Sequence, residues 1–313
     1  IKVNLKTDKE IAEISKKLNI DIAVDLMCYT TNSRIGIFSE RCAPIQINYL
    51  GYPGTSSAEF IDYVIADKTL IPKKNQKYFS EKIVYLPNTY QVRDSTQKIS
   101  NKTYKRKDFN LPEDNFVFCC FNQNYKITPD VYDIWMRLLK KVDGSVLWLL
   151  KNSDIGINNL KKEARKRGVD PNKIIFAERM AMPEHLARHK LADLFIDTFP
   201  YTAHTTCSDA LWAGLPVITR IGESFASRVG ASLLYAIGLE ELITKTKTEY
   251  ENLAIKLATE SGILKNIKNK LEKNKIKKPL FNTQLYTSNI ETAYKKLYKN
   301  YHSNLAIKNI EIK

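Results

Sequence analysis

Leu194-Phe-Ile-Asp-Thr-Phe-Pro-Tyr-Thr-Ala-His-Thr-Thr-Cys-Ser-Asp-Ala-Leu-Trp-Ala-Gly214 decides how the rest of the chain is read. The apolar run Leu194–Ile196 has the composition of a buried strand, and Pro200 stops it. The polar patch His204-Thr205-Thr206 then opens a helical stretch that ends before Gly214-Leu-Pro216. The first turn of a helix carries backbone N–H groups without intrahelical partners and the positive end of the dipole, so it can hold an anion. Two threonine hydroxyls and His204 add donors at the same place, which makes a plausible phosphate cradle. The plainer alternative is that Thr205 or Thr206 is only an N-cap.

Outward from this stretch, short apolar runs alternate with amphipathic ones. In the second part, strands are expected at Phe116–Phe121, Val146–Leu150, Ile174–Ala177, Leu194–Ile196 and Val217–Thr219. Between and after them, helices are expected at Val131–Val142, Asn158–Gly168, Pro183–Ala192, His204–Ala213 and Ser227–Ile237. Such alternation predicts a doubly wound parallel sheet, which binds ligands outside the carboxyl ends of its strands. The first part gives a helix at Lys9–Leu18 and strands at Asp21–Leu26, Ile45–Leu50, Tyr63–Ala66 and Lys82–Leu86. Residues 92–113, rich in Lys and Arg and poor in apolar groups, read as a linker. From Glu249 the chain is helical and basic, broken at Pro279, with a last helix at about Gln284–Tyr301.

At 313 residues the chain can bury a full core, and two domains are expected. Its longest purely apolar run, Phe116–Phe121, is far short of the ~20 residues that cross a bilayer, so no membrane partner is expected. The chain does not begin with Met and shows no secretory signal, so further sequence upstream is expected. Five cysteines without CxxC spacing point to a reducing cytoplasm, with no disulfide framework and no zinc site. The net charge of +15 raises nucleic acid as a partner. Lysines, however, gather at 102–107 and 265–278, outside the motifs, and read as solvated helix faces.

Two further groups of residues could carry chemistry. His185 and Arg188, at i and i+3, share a helix face that leads into the strand before His204. Phe121-Asn-Gln-Asn-Tyr-Lys126 follows the first strand of the second domain, where a dinucleotide fold would place GxGxxG. Lys126 is a mobile point charge there, able to reach a phosphate. No HExxH, Asp-x-Asp, GxSxG or P-loop pattern occurs, so no metal or cofactor is expected.

Five segments together resemble the catalytic region of the O-linked N-acetylglucosamine (O-GlcNAc) transferases, SPINDLY-like and bacterial repeat-containing members included. They are Ala43–Thr55, Phe121–Lys126, Ala203–Thr206, Gly222–Ser232 and Pro279–Thr283. The resemblance implies an α/β fold of the GT-B type, with two Rossmann-like lobes built on doubly wound parallel sheets. It divides the chain into 1–91, a partial amino-terminal lobe on the acceptor and sugar side; 92–113, a linker; 114–278, the UDP-binding lobe; and 279–313, a terminal helix and tail. The implied reaction is metal-independent, inverting transfer from UDP-GlcNAc to protein Ser/Thr. Residue by residue, Gln123 and Lys126 would face the diphosphate, with Lys126 offsetting charge on departing UDP. Thr205 and Thr206 would hold phosphate oxygens with His204 beside them, His185 and Arg188 would flank uridine, and Asp209 would reach the ribose. Thr30, Gly54 and Thr55 would line the sugar and acceptor side.

Departures from the family pattern matter too. The first part of the amino-terminal lobe and the upstream tetratricopeptide (TPR) repeats are not in this chain, nor is the long insertion of animal members. Met182 stands where animal members have Lys, and Tyr29 where many bacterial members have His. Nucleotide binding without efficient turnover is therefore expected of this chain alone. Two other readings stand beside it: a related transferase moving glucose from UDP-glucose to Asn, and a non-catalytic basic binding module.

Overall fold

The computed structural model describes residues 1–313, which form two compact units. The first comprises Ile1–Val92 and Asn282–Lys313, the second Arg93–Phe281.

The first unit opens with α1 (Asp8–Lys17), followed by β1 (Ile22–Asp25), a single turn α2 (Gly36–Ser39), β2 (Ile45–Asn48), β3 (Tyr63–Ala66) and β4 (Lys82–Tyr85). Thr7 and Glu10 close a capping box at the start of α1, a device worth about 1 kcal/mol. Strands β2 and β3 are buried along their whole length, as expected of strands covered on both faces.

The second unit holds β5 (Val117–Cys120), α3 (Pro129–Lys141), β6 (Val146–Leu150), α4 (Asp154–Lys166), β7 (Ile174–Ala177), α5 (Met182–Arg188), β8 (Leu194–Ile196) and α6 (Thr205–Trp212). Then come β9 (Val217–Arg220), α7 (Val229–Ile237), β10 (Ile243–Thr244), α8 (Lys247–Thr259) and α9 (Ser261–Lys277). Its strands lie in the order β10-β9-β8-β5-β6-β7, all parallel. The order reverses between β5 and β8, and that switch point is where open sheets of this kind leave a crevice for a ligand. Ser153 caps α4 and starts it earlier than the expected Asn158. The helix expected at Pro183–Ala192 divides into α5 and a 3-10 turn, His189–Leu191.

The chain then returns to the first unit through α10 (Thr283–His302) and β11 (Ile310–Glu311). The first sheet is parallel, in the order β1-β2-β3-β4-β11. The Tyr286 hydroxyl on α10 donates to the Tyr90 carbonyl oxygen at 3.0 Å and meets the Tyr49 hydroxyl. Residues 279–313 are thus not a separate tail: Pro279–Phe281 belong to the second unit and the rest completes the first sheet.

The expected linker at 92–113 is also placed differently, because Arg93–Glu113 belong to the second unit. Arg106 explains this. Its guanidinium donates to the carbonyl oxygens of Leu191, Pro112, Glu113 and Asn115 and pairs with Asp193 at 2.8 Å. Phe109 packs against Tyr104 and Trp148. Its basic residues thus include one anchor that charge content alone does not reveal.

Candidate active site

The switch point brings together the ends of β5 and β8. After β5 the chain runs through Asn122 and Gln123 into a 3-10 turn, Asn124–Lys126, capped at its start by Gln123 without a side-chain bond. After β8 it passes through the loop 197–204, with a cis Phe199–Pro200 bond, into α6. His204 is the N-cap of α6 and no side chain caps the helix. Thr205 and Thr206 lie inside the first turn, so the plain N-cap reading of these threonines does not hold.

A hydrogen-bond network fixes this loop. Asp197 is fully buried; its Oδ1 accepts from the amides of Thr198 (2.7 Å) and Ala203 (2.6 Å), and its Oδ2 from the Thr219 hydroxyl (2.6 Å). Asn122, also buried, donates to Thr198 Oγ1 (2.8 Å) and Asp197 Oδ1 (3.2 Å). The Thr206 hydroxyl donates to Asn122 Oδ1, so its proton is already committed, whereas exposed Thr205 has no such bond to Asn122. The expectation of two hydroxyl donors for phosphate thus narrows to one.

Lys126 Nζ donates to the Thr202 carbonyl oxygen at 2.9 Å and lies 3.9 Å from the centre of the Tyr201 ring. Burial pushes its pKa down, and Asp197 and Cys120 pull it back up. The carbonyl of Ala226 accepts from the Thr202 amide (3.1 Å), the Thr202 hydroxyl (2.8 Å) and His204 Nε2 (3.2 Å). That carbonyl ties the Gly222–Ser232 segment to the cradle. Since a carbonyl only accepts, His204 carries its proton on Nε2. Burial and then Lys126 depress its pKa to about 3, so the ring is neutral at pH 7. The cradle therefore presents one ammonium and the first amides of α6 as donors suited to a diphosphate, while the single N–H of neutral His204 is taken by Ala226.

His185 and Arg188 sit as the i, i+3 spacing requires: a guanidinium N–H donates to His185 Nδ1 at 2.6 Å. Arg188 is fully buried, however, stacked over Phe121 and Trp148 and bonded to the Glu178 carbonyl oxygen at 2.6 Å. A group with no exposed surface cannot touch a nucleotide, so Arg188 orients His185 instead of flanking uridine itself. Burial lowers the His185 pKa to about 4, and the ring turns its Nε2–H away from Arg188. Asp209 is likewise engaged: it forms a buried ion pair with Arg93, whose second nitrogen reaches Gln97 at 2.8 Å. A ribose contact at Asp209 would share that carboxylate with Arg93.

Thr30, Gly54 and Thr55 lie in the first unit, in the loops after β1 and β2. The Tyr29 hydroxyl donates to the Ser56 carbonyl oxygen at 2.8 Å and holds the two loops together. Thr55 donates to Glu81 Oε2 at 2.5 Å, and the Gly54 carbonyl oxygen accepts from Asn48 at 3.3 Å. No three His, Cys, Asp or Glu side chains are grouped so as to hold a metal ion, and no helix is long and apolar enough to cross a membrane.

Asn122, Asp197, Thr202 and Ala226 were not singled out by the sequence reading. Asn122 and Asp197 could have been: each is a polar residue at the carboxyl end of a wholly apolar strand.

Two parallel-sheet α/β units, the second with a polar cradle at its switch point, make a fold of the GT-B type, which solved glycosyltransferase structures share. The sequence matches glycosyl transferase family 41 over residues 3–105 and 97–290, and the chain belongs to that family. It is 39% identical over 302 residues to the probable UDP-N-acetylglucosamine–peptide N-acetylglucosaminyltransferase SEC of Arabidopsis thaliana, covering 95% of this chain and 31% of that protein. The Caenorhabditis elegans UDP-N-acetylglucosamine–peptide N-acetylglucosaminyltransferase is 29% identical, covering 93% and 35%. A mutant of the Thermobaculum terrenum O-GlcNAc transferase superposes with a TM-score of 0.88 at 28% identity, covering 96% of this chain and 57% of that one. Anabaena HepE, solved with UDP and glucose, shares the fold at TM-score 0.61 and 15% identity. The chain spans about a third of the length of the curated relatives it matches.

Proposed function

We propose that this chain is the catalytic region of a UDP-GlcNAc:protein Ser/Thr O-GlcNAc transferase. The carrying observation is the half-buried Lys126 ammonium set against the loop that opens α6. In the reaction, the acceptor hydroxyl oxygen forms a bond to the sugar C1 while the bond from C1 to the UDP oxygen breaks. The leaving β-phosphate gains negative charge, and Lys126 with the amides of Thr205 and Thr206 takes up that charge, so no metal is required. Such preorganised donors are worth ~2.7–4 kcal/mol each in a transition state. Gln123, half-buried at the start of the 3-10 turn, lies beside the diphosphate, His185 and His204 line the nucleotide side, and Asp209 together with Arg93 meets the ribose. Thr30, Gly54 and Thr55 serve the sugar and acceptor. Protein acceptors, TPR repeats elsewhere in the full-length protein and a cytoplasmic setting go with this reading. The identity to peptide N-acetylglucosaminyltransferases favours GlcNAc over glucose as the donated sugar.

Thermal-shift and calorimetric titration with UDP, UDP-GlcNAc and UDP-glucose tests it. Saturable binding of UDP and UDP-GlcNAc is expected, with UDP-glucose weaker. No binding of any of the three overturns the reading; preference for UDP-glucose moves it to the glucosyltransferase.

A further inference from the structure

Asp197 does not belong to the phosphate-binding set, yet every element of the cradle is tied to it. It directly follows β8 at the centre of the sheet, with no exposed surface. Its Oδ1 accepts from the amides at both ends of the 198–203 loop, Thr198 and Ala203, and from Asn122, the residue that holds Thr206. Its Oδ2 accepts from Thr219 on β9, and a Cβ added at Gly230 on α7 would come within 2.9 Å of it. The space around the carboxylate is therefore closed, and its oxygens are shared among four donors. The other groups facing it are the thiols of Cys120 on β5 and Cys207 on α6, the hydroxyl of Tyr250 on α8, which donates to the Asp197 carbonyl oxygen at 2.8 Å, and Lys126. Lys126 is the cation that acts on it.

We propose that Asp197 is the positioning residue of this site, closing the 198–203 loop whose Thr202 carbonyl oxygen holds Lys126 and setting a buried carboxylate on the side of that ammonium. This deepens the transferase reading and rests on it for its effect on turnover. Burial works against both charges. It drives the Lys126 pKa down and the Asp197 pKa up to about 6, and each group partly offsets the other's shift. At pH 7 the carboxylate is ionised, held so by its donors and by Lys126, and its charge in turn favours the protonated form of Lys126.

The test compares Asp197→Asn with the unaltered protein. Asparagine keeps an oxygen for the Thr198 and Ala203 amides and an amide that can donate to the Thr219 hydroxyl, so the variant should fold. Lys126 is followed by carbon-13 NMR of its ε-carbon in ligand-free protein, assigned by difference from Lys126→Ala. The expected result is a Lys126 titration moved to lower pH in Asp197→Asn. Turnover should fall by up to ~10²-fold with a much smaller change in KM for the sugar nucleotide. An unmoved Lys126 titration in a folded variant overturns the proposal. Should Asp197→Asn fail to fold, Thr219→Val decides. It removes one donor from Oδ2, so the acidic step that Asp197 imposes on the Lys126 signal should move to higher pH, and an unmoved step overturns the proposal. The NMR readout needs no ligand. A protein that binds no UDP would sink the transferase reading and still leave Asp197 to be judged.

Discussion

Two loops of this molecule are shaped by the same means and differ in charge. In the second unit, buried Asp197 gathers the loop that opens α6; in the first, buried Glu81 gathers the loop after β2. Glu81 Oε1 accepts from the amide and hydroxyl of Ser56 at 2.6 and 2.5 Å, and Oε2 from the hydroxyls of Thr55 and Ser80 at 2.5 and 3.2 Å. Its donors are hydroxyls and one amide. Asp197 instead feels the charge of the half-buried Lys126 ammonium. A buried carboxylate thus serves in one place to fix a neutral loop and in the other to balance a cation. On that ground, the transferase proposal assigns anion binding to the second unit and the uncharged sugar and acceptor to the first.

Removing the cation should break this contrast most severely. In the full-length protein, Lys126→Ala should lower turnover by ~10²–10³-fold with a smaller change in UDP affinity, because the lost contact is strongest when the leaving phosphate carries its full charge. Steady-state kinetics beside UDP calorimetry measures both, and equal losses in the two would assign Lys126 to ground-state binding.

A second variant separates the two threonines. The Thr206 hydroxyl proton is held by Asn122 while the Thr205 hydroxyl is exposed at the helix start. Thr205→Val should weaken UDP binding by ~1.5–3 kcal/mol, the worth of one hydrogen bond to a charged group. Unchanged affinity in calorimetry would leave the helix amides alone to hold the phosphate.

The sheet of the second unit was legible because parallel strands buried on both faces are continuous apolar runs; Val146–Leu150, Ile174–Ala177 and Leu194–Ile196 coincide with their expected limits. Strands β10 and β11 were not, since two residues carry no periodicity. The cradle's position followed from the strand–turn–helix pattern, but its internal wiring did not. That Arg188 is buried under Phe121 and Trp148, that Asp209 faces Arg93 116 residues earlier, and that Asp197 closes its own loop are facts of packing between distant segments. Local spacing cannot supply them. Charge misled at 92–113 for the same reason, because an Arg that satisfies four carbonyls reads in sequence like one that faces water.

The second unit also holds its three histidines neutral. Burial lowers His185 to about 4, and His189 and His204 to about 3. Each is depressed below the value of about 6.5 that it regains on unfolding. Their stabilisation is therefore complete above pH 6.5 and is lost as pH falls from there toward 4 and 3, while the unfolded chain takes up protons that the native one refuses. His189 is fully buried, so His189→Gln should remove up to ~1.4 kcal/mol per pH unit from that acid loss. Urea midpoints between pH 7 and 4 read it. Parallel pH profiles for the two proteins would mean that His189 titrates in the native state as it does in the unfolded chain.

The mildest change should be Glu81→Gln, and it is the sharpest control. Glutamine keeps one oxygen for the Ser56 amide and hydroxyl but offers an N–H₂ group where Thr55 and Ser80 now donate to Oε2. Those hydroxyls can turn to accept, so the loop should survive at a cost of about 1 kcal/mol, near the net worth of one ordinary hydrogen bond. Because no cation depends on Glu81 in the way Lys126 depends on Asp197, UDP affinity and its pH dependence should not move. A loss of UDP affinity in Glu81→Gln comparable to that of Thr205→Val would mean that the first unit also contributes charge to nucleotide binding, and the division of labour between the two loops would fail.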